Sequence, residues 1–187
     1  AYNNDFTVKY KARLVICGYS QIRGRDFDQT HSPTVSVLVV LLAMHVAVVL
    51  GFYGGTFDVT SAFLNASNDF ANFGYLPKGL FQHTLRMRIL RAMYGEKQAP
   101  KLWNDMLHKI LLELGFLRCP VDPCLYFYKR GGVSALLTIH VDDGLLFASH
   151  EELLDEFIRK IQLHLPKVTL TRPLQKYVGV EVHHNRA

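Results

Sequence analysis

A chain of 187 residues that is 49% hydrophobic and 20% charged can bury one sizeable core, which excludes a disordered or low-complexity polypeptide. Its formal charge of +5 is uneven: residues 78–118 carry eight Lys or Arg against Glu96, Asp105 and Glu113, an excess that suits either a polyanionic partner or a solvated helix face. Cys17, Cys119 and Cys124 leave one thiol over and nothing at the start reads as a signal peptide, so an intracellular, reducing compartment is expected and a cysteine-built zinc site is not.

In chain order, residues 10–19 alternate and are rich in β-formers, which predicts a strand, and a polar loop follows over 20–32. Ser32-Pro33-Thr34 reads as a helix start before the apolar run 35–52. That run contains Ser36 and His45, and its uninterrupted part is shorter than the roughly 20 residues a bilayer span needs. A buried core helix with His45 inside it is therefore expected, and no membrane partner. Gly51 to Gly55 breaks the helix, and a strand over 56–59 carries Asp58. The stretch 65–75 is rich in Asn and other polar or small residues. Residues 85–90 alternate as a half-exposed strand with Arg86 and Arg88 outward.

A turn at Tyr94-Gly95-Glu96-Lys97-Gln98-Ala99-Pro100 leads into a helix over 101–114, where Leu102, Trp103, Met106, Leu107, Ile110, Leu111 and Leu114 recur at helical spacing. Strands are expected over 124–129 and 135–141, joined by a turn at 129–132. Residues 151–161 form an amphipathic helix with acids first and bases last, matching the helix dipole. Residues 176–182 read as a final strand.

The chemistry concentrates at residues 136–147, where two aliphatic runs flank Asp142-Asp143-Gly144 and predict a β-hairpin with acid at its tip. Adjacent carboxylates in an apolar sheet are costly unless a cation compensates them, so a divalent metal is one reading. A solvated Asp-Gly turn is the other. Asp58, flanked by Phe57 and Val59, is a third acid in matching surroundings. Asp58, Asp142 and Asp143 are expected to converge on one metal site.

Phe57-Asp58-Val59-x-x-Ala62-Phe63-Leu64, Ala92-Met93-Tyr94-Gly95-x-Lys97-Gln98-Ala99-Pro100-x-x-Trp103 and Val141-Asp142-Asp143 stand in the order of the reverse transcriptases of copia-type retrotransposons, which this chain resembles. Lys11-Ala12-Arg13-Leu14-Val15 and Gly115-Phe116-x-x-Cys119-x-x-Asp122-Pro123-Cys124-Leu125 extend the match. The resemblance implies one α+β domain over 1–187, with a polymerase palm-like antiparallel sheet backed by helices (about 51–64 and 101–187) and a partial fingers lobe (about 10–50 and 65–100). Thumb and ribonuclease H regions have no counterpart in these residues.

It further implies an RNA-dependent DNA polymerase with Asp58, Asp142 and Asp143 as catalytic, metal-binding residues for two Mg²⁺ or Mn²⁺ ions. Arg13, Phe63, Tyr94 and Gly95 would bind the incoming nucleotide, with Phe63 beneath its sugar and Arg13 at its triphosphate. Arg86, Arg88, Lys97, Gln98, Lys101 and His140 would meet an RNA template and DNA primer. Four departures stand out: Cys17 where a second Arg is usual, Glu96 for an aliphatic residue where phosphates pass, His140 for Tyr, and a polar 65–75 stretch where relatives carry acidic and aliphatic residues. With the missing regions, they motivate a second expectation, a catalytically silent remnant serving as an RNA-binding or structural subunit of a larger ribonucleoprotein particle.

Overall fold

The structure is a computed structural model that describes residues 12–76 and 86–182. Its centre is a six-stranded antiparallel sheet in the order β4-β5-β6-β7-β1-β8, built from β1 (Tyr53–Val59), β4 (Leu117–Arg118), β5 (Leu125–Arg130), β6 (Val133–His140), β7 (Asp143–Ala148) and β8 (Val168–Thr171). Three helices, α1 (Val37–Val49), α2 (Ala99–Glu113) and α3 (Glu151–Gln162), pack on it. Two short antiparallel strand pairs complete the α+β fold: β2 (Phe73–Tyr75) with β3 (Arg86–Arg88), and β9 (Lys176–Tyr177) with β10 (Val180–Glu181).

Strand alternation decides which helix covers which face. Phe57, Val59, Leu137, Ile139 and Leu146 pack with Trp103, Leu107, Ile110 and Leu111 of α2 and with Leu154, Phe157 and Ile158 of α3. The opposite parity, Leu145 and Phe147, packs with Val40, Ala43 and Ala47 of α1 and with Leu174 and Tyr177. β1 and β7, both interior strands of the sheet, carry their buried side chains toward the two layers of helices, and their Asp58/Asp143 end is exposed to solvent.

The structure departs from several sequence expectations. The apolar run does form a helix, but it starts at Val37, with the Ser36 hydroxyl accepting from the Leu38 amide at 3.3 Å, rather than at Ser32. Nor is it buried all round: Leu38, Leu42, Val48 and Val49 are exposed, as is His45. A helix that is apolar on every side gives no periodicity from which to choose the inner face. Among the described residues no helix is long and apolar enough to cross a membrane.

Residues 12–17 form no strand; Ile16 instead gives its amide to the Tyr94 carbonyl at 2.7 Å. The rest of that predicted strand's beginning, Leu85 of the Arg86–Arg88 strand, and Lys78 lie outside the described residues. The strand expected over 176–182 is a hairpin, because Val178 (φ 46°) and Gly179 (φ 79°) both adopt the left-handed backbone that a two-residue turn needs. β2, β4 and β8 were not expected from the sequence.

Candidate active site

The hairpin β6–β7 turns through Val141 and Asp142, so Asp143 is the first residue of β7 rather than part of the turn. Positive φ at Val141 (58°) but not at Asp142 is the pattern of a II′ hairpin, whose first position normally takes Gly. A β-branched residue held there is strained. Three contacts hold it. The indole Nε1 of Trp103 donates to the Val141 carbonyl at 2.6 Å, the Val59 amide donates to the Asp142 carbonyl at 3.0 Å, and the Tyr177 hydroxyl donates to the Thr138 carbonyl at 3.1 Å and reaches the Asp143 carbonyl at 3.4 Å. Sequence reasoning gave Trp103 only a packing role and Tyr177 none. Both donors are buried, and both serve the acidic turn from outside it.

Register then assembles the acids. Asp58 pairs with Asp143 across β1 and β7, and His140 pairs with Asp143 across β6 and β7, so three adjacent strands present these side chains in one row on one face. Asp142 adjoins the row at the turn. Partial burial, then the Asp142 and Asp58 carboxylates, push the Asp143 carboxyl above its ordinary range, while His140 works against them. His140 Nδ1 is buried with no hydrogen-bond partner.

Oxygen-only donors under mutual repulsion fit a hard divalent cation by chemistry. Among the described residues, however, no three His, Cys, Asp or Glu side chains form a ready-made ligand group. Closing one around an ion would require side-chain rotation, for which the exposed positions of Asp58 and Asp143 leave room.

A second group lies at the loops. The Arg13 guanidinium sits 4.7 Å from the centre of the Tyr94 ring, and that ring packs at 5.0 Å against Phe63, in the short 3-10 turn Ala62–Asn65 that follows β1. Arg13, Tyr94 and Phe63 are thus one stack. Beneath it Gly18 and Gly95 interlock: a Cβ on Gly18 would stand 1.9 Å from the Gly95 carbonyl oxygen, and one on Gly95 2.1 Å from that of Ile16. Gly95 is a packing point between two backbones.

The basic residues divide. Arg86 and Arg88 project from β3 into solvent, Arg86 over the Tyr75 ring. Lys101 is ion-paired with Asp105. Lys97 donates to the Gln21 carbonyl at 3.0 Å and lies over the Phe27 ring. Gln98, expected at the nucleic-acid surface, is 2% exposed, with its carboxamide donating to Glu96 and accepting from Gln21. Glu96 also corrects expectation: far from facing a phosphate path, it is 4% exposed and fully engaged in hydrogen bonds.

The reverse transcriptase (RNA-dependent DNA polymerase) family profile matches residues 2–187. The chain is 30% identical over 186 residues to the retrovirus-related Pol polyprotein from transposon RE1 of Arabidopsis thaliana, covering 96% of this chain and 12% of that protein. It is 27% identical over 183 residues to the corresponding polyprotein from transposon TNT 1-94 of Nicotiana tabacum, covering 96% of this chain and 14% of the relative. A putative transposon Ty5-1 protein of Saccharomyces cerevisiae is 29% identical over 132 residues, 67% of this chain and 42% of that one. The chain spans about an eighth of the length of the polyproteins it matches. With those motifs, that sheet and those relatives, it belongs to the reverse transcriptase (RNA-dependent DNA polymerase) family of copia-type retrotransposons.

Proposed function

We propose that the chain is the polymerase core of a copia-type reverse transcriptase, in which the six-stranded sheet is the palm and the loops around Tyr94 belong to the fingers. The observation that carries this reading is the cross-strand pairing of Asp58 with Asp143 beside Asp142, which brings acids far apart in sequence to one end of two neighbouring interior strands. Asp58 and Asp142 offer carboxylate oxygens to the ions, and Asp143 supports them. Two divalent ions, Mg²⁺ or Mn²⁺, would supply activation of a primer 3′ hydroxyl and charge neutralisation at the leaving pyrophosphate.

The chain's own residues do the rest. Arg13 meets the triphosphate, and its contact with Tyr94 keeps the guanidinium oriented. Phe63 lies under the sugar and excludes a ribose 2′-OH. Arg86, Arg88, Lys97, Lys101 and His140 meet template and primer phosphates.

Of the features favouring a silent RNA-binding remnant, Glu96 and the polar 65–75 stretch lose their force, because both serve internal hydrogen bonds. Cys17 in place of Arg still speaks for it. The deciding experiment is primer extension on poly(rA)·oligo(dT) with dTTP. The polymerase reading expects templated extension that Asp142→Asn lowers by orders of magnitude while RNA binding persists. RNA binding without extension, in Mg²⁺ and in Mn²⁺, would establish the remnant instead.

A further inference from the structure

Two departures that look unrelated in the sequence, Glu96 and the Asn-rich stretch before it, meet in space. Glu96 Oε1 accepts from Asn68 Nδ2 at 2.9 Å, from Gln98 Nε2 at 3.0 Å and from Asn72 Nδ2 at 3.2 Å, while Oε2 accepts from the Met93 amide at 2.8 Å. Every polar neighbour of this buried carboxylate is a donor. The donors come from different segments, and the network runs on: Asn72 Nδ2 also donates to the Asp26 carbonyl at 3.0 Å, and Gln98 Oε1 accepts from Gln21 at 3.0 Å. Glu96 therefore joins segments 66–72 and 93–98 directly, and segment 18–28 through Asn72 and Gln98. A buried charge answered only by donors is stable as a set and costly when any member is removed.

The hub is linked to the stack through the backbone. Glu96 fixes the turn that begins at Met93, the next residue's carbonyl holds the Ile16 amide, and the Arg13 guanidinium, from three residues before Ile16, covers the Tyr94 ring. The 3-10 turn bearing Phe63 leads directly into the segment that supplies Asn68 and Asn72. We propose that Glu96, Asn68 and Asn72 act as one positioning unit that keeps Arg13, Tyr94 and Phe63 stacked. The unit rests on the polymerase reading only in treating that stack as nucleotide-facing.

The chemistry separates this from mere filling of space. Glu96→Gln keeps the volume but turns one accepting oxygen into a donor facing donors, and Glu96→Leu takes the acceptor from Asn68, Gln98 and the Met93 amide and leaves Asn72 with the Asp26 carbonyl alone. Replacing Glu96, Asn68 and Asn72 together by Leu removes two of the four donors along with their acceptor and leaves Gln98 and the Met93 amide.

Hydrogen–deuterium exchange on the 187-residue chain tests the unit without reference to activity. Glu96→Gln and Glu96→Leu should each accelerate amide exchange over residues 12–28 and 93–98 by about tenfold or more, leave residues 133–148 as in wild type, and the triple Leu variant should return part of that protection. Steady-state extension with dTTP gives the second readout. The single variants should raise KM for dTTP by about tenfold with kcat within about threefold, because a lower folded fraction would depress kcat instead. Exchange unchanged, or raised evenly along the chain, or a triple variant no better than Glu96→Leu, overturns the proposal. A wild-type chain that extends no primer defeats the polymerase reading, and the exchange result alone then upholds or overturns the hub.

Discussion

Trp103 in α2 donates its indole N–H to the carbonyl of Val141, 38 residues away, at 2.6 Å. The bond ties the helix that covers the sheet to the strained residue of the acidic turn, so the turn's shape is imposed from outside. Trp103→Phe keeps an aromatic ring but strands that carbonyl and leaves a small void, and should cost about 2 to 3 kcal/mol in urea unfolding.

Val141 itself gives a complementary test. Its φ of 58° is one that Gly adopts without penalty, whereas Val59 is 1% exposed in a regular strand. Val141→Gly should cost less than about 1 kcal/mol and Val59→Gly more than about 3 kcal/mol, measured side by side. Equal losses would mean that the turn is not strained.

Asp143 should make stability depend on pH in a direction opposite to that of a salt-bridged carboxylate. Because its pKa is raised in the fold, by burial first and then by Asp142 and Asp58, the folded state holds the proton more tightly than the unfolded chain does. The associated destabilisation is absent below the ordinary carboxylate pKa, grows as pH rises through the raised value, and is complete above it. Asp143→Asn should thus raise Tm modestly at pH 7 and not at pH 3, the effect being small because the residue is only partly buried and solvent screens its charge. Mg²⁺ should raise the Tm of wild type and do less for the variant.

The thiols should separate by rate. Cys17 is exposed, whereas Cys124 is buried, with its pKa pushed up to about 11 by burial first and then by Asp122. Titration with a disulfide reagent at pH 8 should label Cys17 rapidly and Cys124 only on unfolding.

On the polymerase reading, nucleic-acid affinity should fall with salt, and Arg86→Ala with Arg88→Ala should reduce the slope of log K against log salt by about two, since both side chains are exposed. Gln98→Ala should instead lower stability, because its amide works inside the protein.

Sequence patterning reached the elements whose signal is local. The helix with Trp103, Leu107, Ile110 and Leu111 on one face, and the two aliphatic runs around Asp142-Asp143, are where periodicity places them. The pairing of Asp58 with Asp143 was legible only as two acids in similar surroundings, since register depends on partners 85 positions apart. Glu96 was misread because a lone charge implies solvent until its partners are known, and those partners lie 24 and 28 positions upstream. Residues 12–17 have strand-like alternation but pair with no strand; one hydrogen bond to Tyr94 and the Gly18/Gly95 contact fix them instead.

The outer face of α1 sets how this chain behaves as a solute. Leu38 is 77% exposed, Val48 71% and Val49 69%, a run of aliphatic side chains that gain nothing from the fold beneath them. In a concentrated preparation such a strip favours self-association over staying dispersed, and salting-out ions strengthen the tendency. Leu38→Lys, Val48→Lys and Val49→Lys add three positive charges to a chain already at +5 and should raise the concentration at which light scattering begins, with Tm nearly unchanged. The dye-binding surface of the purified protein would shrink with them, so that colloidal behaviour and folding stability, often improved together, come apart on a single helix.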